Sequence, residues 1–281
     1  MDEAKFRGHI ARLVALDFDE YYVMGTAGEG YAVSGEQYRE IVGIFADEMA
    51  GREKRSQVGV ISTSTSQVID RIAYAHGKGV RTFQITLPSW GTVTRQEMLT
   101  YFKTVCGEFP ESSFLHYNVD RAGRVVTGAE YRPLIDEVPN LAATKQSGSD
   151  MSRIRSLMVD APELQHFFLE VPYAYAATYG ECSLLCSPAG VAPHLTRALW
   201  EAGRSGDIAQ ALRIQRRFLE ALEGLFGHMK SSHMDGAYDK LFDWLVDPSF
   251  PRVLLPPYET ISDADAATSR RWYEASRDWF R

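Results

Sequence analysis

The chain has 281 residues, longer than most single domains but suited to one α/β barrel with an extension. Hydrophobic residues make up 45% and charged residues 24%, which excludes a disordered or fibrous protein. The formal net charge of -7 argues against a nucleic-acid surface, which needs a basic face, and leaves small-molecule chemistry as the expectation.

The pattern opens on a helix, 4–16, with apolar residues at Phe6, Ile10, Leu13 and Val14. Short apolar runs then alternate with amphipathic segments, the signature of repeated βα units around a parallel sheet. Strands are predicted at 20–24 (EYYVM), 57–61 (QVGVI), 80–85 (VRTFQI), 113–117 (SFLHY), 141–145 (LAATK), 165–170 (QHFFLE) and 183–187 (SLLCS). Two helix starts carry capping boxes, Ser34 with Gln37 and Thr127 with Glu130. From Asp207 to Lys230 apolar residues recur at helical spacing, and further helices are predicted near 236–246 and 265–280. The expected division is a (β/α) barrel over 1–205 and a C-terminal helical domain over 206–281. A closed barrel of this kind takes eight strands, and the pattern supplies seven. The missing one is the first: either a longer chain carries it or another segment closes the sheet.

Chemistry in such barrels sits where strands end and βα loops begin. Those positions read GTAGEG after the first strand, LPSWG after the third, YNVDRAG after the fourth and KQSGSD after the fifth. Lys145 ends the fifth strand. By itself it has two readings: a lysine snorkelling to water or pairing with a carboxylate, or an amine whose lost hydration favours the neutral, nucleophilic form that forms Schiff bases. Tyr117, one strand away, tips the choice toward the second, because a phenol there can exchange the proton that carbinolamine formation and C–C cleavage require. Thr26 is placed to pass that proton on. Gly25 and Gly28 let peptide N–H groups turn inward as an anion-binding nest suited to a small carboxylate. His116 faces away from Tyr117 if the strand is regular.

The charged start MDEAKFRGH is not a secretory signal, and no apolar run approaches the roughly 20 residues of a membrane helix, so a cytoplasmic location is expected. Cys106, Cys182 and Cys186 fit neither a disulfide framework nor a zinc site, and read as reduced thiols.

Taken together, GTAGEGYAVSGEQYREIV, YNVDRAG and TKQSGSD resemble the glycine loop, tyrosine segment and lysine loop of the dihydrodipicolinate synthase and N-acetylneuraminate lyase family of pyruvate-dependent class I aldolases. The resemblance covers nearly the whole chain. It implies a (β/α)8 TIM barrel with a C-terminal helical extension, a homo-oligomer (dimer or tetramer), and no metal or organic cofactor. It also implies Lys145 as the Schiff-base lysine, Tyr117 as the catalytic tyrosine and Thr26 as the relay hydroxyl beside the bound carboxylate. Glu29 is implied to be a structural residue of the loop. The substrates implied are pyruvate or another 2-oxo acid plus an aldehyde.

Departures from the family pattern bear on the second substrate. Ala27 replaces one hydroxyl of the carboxylate pocket but keeps its peptide N–H. Trp90 stands where dihydrodipicolinate synthases carry a proton-relaying tyrosine, and an indole N–H only donates. Pro88, Ser89 and Trp90 together resemble hydratase-aldolases, whose lysine loop reads differently. Trp90 is read either as an acceptor-facing indole or as packing, beneath its loop or at a subunit contact. Arg121 is read either as a carboxylate-holding arginine or as a solvated loop cation. Three readings follow: an aldolase or lyase on pyruvate, a hydratase-aldolase or sugar-acid lyase of the same family, and a 2-oxo-acid-binding homologue without turnover.

Overall fold

The structure is a computed structural model and describes residues 1–280. Seven parallel strands follow one another in sheet order β1 to β7: β1 Glu20–Val23, β2 Arg55–Gly59, β3 Thr82–Ile85, β4 Ser113–Asn118, β5 Leu141–Gln146, β6 Gln165–Phe168 and β7 Ser183–Leu184. All seven lie within the segments the apolar pattern marks, or within two residues of them. No eighth strand is found among the described residues, and α1 (Glu3–Val14) precedes β1.

Helices α2 (Gly35–Met49), α3 (Thr65–Gly77), α4 (Arg95–Gly107), α5 (Gly128–Glu137) and α6 (Met151–Asp160) follow β1 to β5 in turn. Their starts are fixed by side chains that satisfy the first free amides. Ser34 Oγ accepts from Gln37 N at 3.1 Å while Gln37 Oε1 accepts from Ser34 N at 2.9 Å. Glu130 Oε2 accepts from Thr127 N at 3.0 Å. A third box, Thr94 with Glu97, starts α4: Thr94 Oγ1 accepts from Glu97 N at 3.2 Å and Glu97 Oε2 from Thr94 N at 2.7 Å.

The chain divides into two compact units. The first, residues 1–148 and 155–166, holds β1 to β5. Its outer layer is aromatic: Phe83 on β3 lies 5.9 Å from Phe114 on β4, and Phe102 on α4 meets the His116 ring edge-on at 5.0 Å. Burial of such rings supplies much of the driving force for docking helices onto strands.

The second unit, residues 149–154 and 167–281, carries helices α7 (Glu170–Ala176), α8 (Pro193–Arg204), α9 (Ile208–Phe226), α10 (Asp235–Val246) and α11 (Asp263–Ala275). Phe226 of α9 packs edge-on against Tyr238 at 4.9 Å and Phe242 at 5.3 Å, both on α10. Ser269 of α11 donates to the Leu225 carbonyl at 2.7 Å. The Arg252 and Arg270 guanidiniums sit 4.9 and 4.1 Å from the Trp244 ring centroid. No helix of the described residues is long and apolar enough to cross a membrane.

Candidate active site

Register decides which side chains share a face. Tyr22 pairs with Gln57 and Gln57 with Thr82; Gly59 pairs with Gln84 and Gln84 with Leu115; Leu115 pairs with Ala143, and Tyr117 with Lys145. Because side chains alternate along a strand, Tyr22, Gln57, Gly59, Gln84, Leu115, Tyr117, Ala143 and Lys145 line one face of β1 to β5. Lys145 and Tyr117 are directly opposite each other near the C-terminal ends of their strands. Both are buried, and Lys145 Nζ lies 4.2 Å from the centroid of the Tyr117 ring and 5.8 Å from that of Tyr22.

On the other face, the residues flanking this pair are polar, buried and wired together. Asn118 donates to the Val126 carbonyl at 2.7 Å and to Gln146 Oε1 at 3.2 Å, and its own oxygen accepts from Val126 N at 2.8 Å. Gln146 Nε2 donates to Thr144 Oγ1 at 3.1 Å. Thr144 Oγ1 is 2.7 Å from His166 Nδ1, and His166 Nε2 is 2.9 Å from the Ala161 carbonyl. A carbonyl only accepts, so Nε2 carries the His166 proton and Nδ1 accepts from the Thr144 hydroxyl. His116 Nδ1 meets the Tyr131 hydroxyl at 2.7 Å, and burial pulls its imidazole down to about 3, so the ring is neutral. The network braces β4 and β5 on either side of Tyr117 and Lys145.

The loop after β1 is shaped by close approach. Met24 and Glu29 take left-handed φ of 67° and 55°, while Gly25 and Gly28 do not. At Gly25 the requirement is close approach rather than a positive φ. A Cβ on Gly25 would lie 2.5 Å from the Tyr22 hydroxyl oxygen; one on Gly30 would lie 2.9 Å from the Met24 carbonyl carbon, and one on Gly59 2.7 Å from it. Within the turn, Glu29 N donates to the Thr26 carbonyl and Gly30 N to that of Gly25, each at 3.0 Å. The amides of Thr26, Ala27 and Gly28 have no acceptor among the described residues. Thr26 is buried and Ala27 half-buried. Buried Arg71 of α3 secures the far side of the loop, donating to the carbonyls of Gly30 at 2.8 Å, Ile61 at 2.6 Å and Val33 at 3.2 Å.

Gly25, Thr26 and Ala27 thus follow the strand that carries Tyr22, and Tyr22, Tyr117 and Lys145 share one face. Trp90, between β3 and α4, is 94% exposed rather than packed beneath its loop. Arg121 lies exposed on a 3-10 turn, Asp120–Ala122. Tyr22, Gln57 and Gln84 are polar residues on the Lys145 face that the sequence pattern does not mark as site residues. The Gln84 carboxamide is fully buried without a hydrogen-bond partner among the described residues, as is the Tyr22 hydroxyl. Both sit in runs that read simply as apolar strand, and their only signal was the period-two alternation against Tyr117 and Lys145. An amine, two phenols and a set of open amides suit addition of nitrogen to a carbonyl with proton transfer beside a held anion.

A sequence model described as the dihydrodipicolinate synthetase family matches residues 1–264. The chain is 26% identical over 272 residues to a 4-hydroxy-tetrahydrodipicolinate synthase of Dechloromonas aromatica, covering 94% of this chain and 89% of that one. It is 27% identical over 232 residues to one from Nitrobacter hamburgensis, covering 80% and 76%. Among solved structures it superposes on a prophage protein of the dihydrodipicolinic acid synthase family from E. coli K12, in complex with pyruvate, with a TM-score of 0.87 at 18% identity over 98% of this chain and 92% of that one. N-acetylneuraminate lyase of Proteus mirabilis gives 0.84 at 16% identity over 98% and 92%. These likenesses match the parallel sheet with flanking helices to the (β/α)8-like barrel fold. With its family pattern running through residue 264, the chain belongs to the dihydrodipicolinate synthetase family.

Proposed function

We propose that the protein is a Schiff-base-forming class I aldolase or lyase that makes or cleaves a C–C bond to pyruvate. The observation that carries this reading is the direct pairing of Tyr117 with Lys145, with Nζ 4.2 Å from the phenol ring and both side chains buried. The Lys145 amine adds to the C2 carbonyl, forming the C–N bond as the carbonyl π electrons move to oxygen. Tyr117 delivers the proton that lets that oxygen leave as water. The resulting iminium withdraws electrons from C3, whose proton passes to the Tyr117 phenolate to give an enamine; the enamine carbon attacks the aldehyde as Tyr117 protonates the aldehyde oxygen, and water then hydrolyses the iminium to free the product and the Lys145 amine. Reversal of the same steps cleaves the bond. The amides of Thr26 to Gly28 hold the carboxylate, with Thr26 relaying the proton, and no metal or organic cofactor takes part.

A second reading within the family, a hydratase-aldolase or sugar-acid lyase, shares every step up to the enamine. It is favoured by Trp90, whose exposed indole offers a flat apolar surface to a bulky acceptor. Arg121 is the candidate partner for an acceptor carboxylate. In this reading the protein acts in the cytoplasm as a homo-oligomer, with residues 206–281 as a helical extension to the barrel.

Pyruvate-dependent bond formation with a panel of aldehydes tests the proposal. Wild-type protein is expected to turn over and Lys145→Ala to be inactive. Full turnover by Lys145→Ala would overturn it.

A further inference from the structure

The geometry points to a second phenol in the pocket: Tyr22 donates a hydrogen bond to the carboxylate of the 2-oxo acid carried on Lys145. This rests on the Schiff-base reading above and adds a residue to it. Tyr22 lies on the same face as Tyr117 and Lys145, with its ring centroid 5.8 Å from Nζ. The residue as a whole is half-buried, yet its hydroxyl is fully buried and has no hydrogen-bond partner among the described residues. Two glycines make the space it occupies. A Cβ would come within 2.5 Å of the hydroxyl oxygen at Gly25 and 2.9 Å at Gly59.

A buried hydroxyl without a partner costs stability relative to phenylalanine, which would fill the same volume. Packing therefore accounts for the ring and not for the oxygen. In an imine of a 2-oxo acid the carboxylate is bonded to the imine carbon, so it stays close to Nζ. The hydroxyl packs against Gly25, the residue just before the open amides of Thr26, Ala27 and Gly28. An anion held by those amides brings the acceptor that the phenol lacks. Burial, reinforced by the neighbouring Tyr117, raises Tyr22 well above the ordinary phenol range, so it serves as a donor and not as a base. Proton transfer remains with Tyr117.

The test is Tyr22→Phe in the full chain. Lys145 occupancy is read by peptide mass after cyanoborohydride reduction, with pyruvate and with acetaldehyde, which has the carbonyl and no carboxylate. The half-saturating pyruvate concentration is expected to rise about 10- to 100-fold, the loss of one hydrogen bond to a charged group. Acetaldehyde labelling of Lys145 is expected to stay within about two-fold, and Tm to match or exceed wild type, since the lost hydroxyl has no partner in the fold. Gly25→Ala, which crowds the hydroxyl, is expected to weaken pyruvate in the same selective way. Equal shifts for pyruvate and acetaldehyde, or none for either, would overturn the assignment. Wild-type protein that forms no pyruvate adduct at Lys145 would instead overturn the Schiff-base reading and this role with it, before any substitution is made.

Discussion

Replacing Gly59 by alanine probes how the site loop is seated. Gly59 ends β2 directly beneath Met24, and an added Cβ would lie 2.7 Å from the Met24 carbonyl carbon, closer still to its oxygen, and 2.9 Å from the Tyr22 hydroxyl. Unstrained carbon contacts lie near 3.5–4.0 Å, so about 1 Å of separation must be found. The obstacle is backbone, and Met24 is already held at a φ of 67°, so it cannot step aside as a flexible side chain would. Overpacking of this kind costs about 1–3 kcal/mol. A displacement of about 1 Å at the Met24–Gly25 step also moves the 26–28 amides, and misplacement on that scale can cost about 10²-fold in rate. Urea denaturation and pyruvate turnover measure the two effects. Gly8→Ala is the control: nothing lies within 4 Å of its Cβ in α1, so it is expected to gain about 0.5–1 kcal/mol. Gly59→Ala within about 0.5 kcal/mol of wild type and fully active would refute the close-approach argument.

Tyr117→Phe keeps the ring and removes the proton carrier, so turnover should fall by about 10²–10⁴ with the fold intact; unchanged turnover would remove Tyr117 from the mechanism. His116 is neutral and buried, with its imidazole lowered from 6.5 to about 3. Below about pH 6.5 the unfolded chain takes up a proton that the folded one refuses, so stability is fully present above that pH and is lost as pH falls toward 3, by up to about 1.4 kcal/mol per pH unit. His116→Gln should flatten that window in acid titration of unfolding, and an identical slope would contradict a neutral buried ring. Trp90, being 94% exposed, should be replaceable with less than about 0.5 kcal/mol change in stability. If it meets the acceptor, Trp90→Tyr should shift the preference for aromatic aldehydes over aspartate semialdehyde by about 2- to 10-fold, and an untouched ranking would show that it does not.

The strands were legible because each is a short apolar run ended by glycine, proline or a polar turn, and Ser34–Gln37 and Thr127–Glu130 announced their helices. Thr94–Glu97 has the same form and starts α4. Tyr117 and Lys145 could be paired in advance, since both end strands that neighbour in sequence order, though the register shift between Phe114 and Leu115 that aligns them is invisible in the sequence. Other features depended on tertiary structure. His116, Asn118, Thr144 and Gln146 are polar yet buried, His116 against the Tyr131 hydroxyl and the other three in one hydrogen-bonded chain. A glycine in sequence does not say whether it serves a positive φ or a close approach, and here Gly25 and Gly59 serve the second. Tyr22 and Gln84 emerge as site-facing residues only once register is known.

The most direct test of the account is borohydride reduction of wild-type protein with pyruvate, followed by peptide mass mapping. A single pyruvate-dependent adduct is expected on Lys145, and it disappears in Lys145→Ala. An adduct on another lysine, or none, would contradict it.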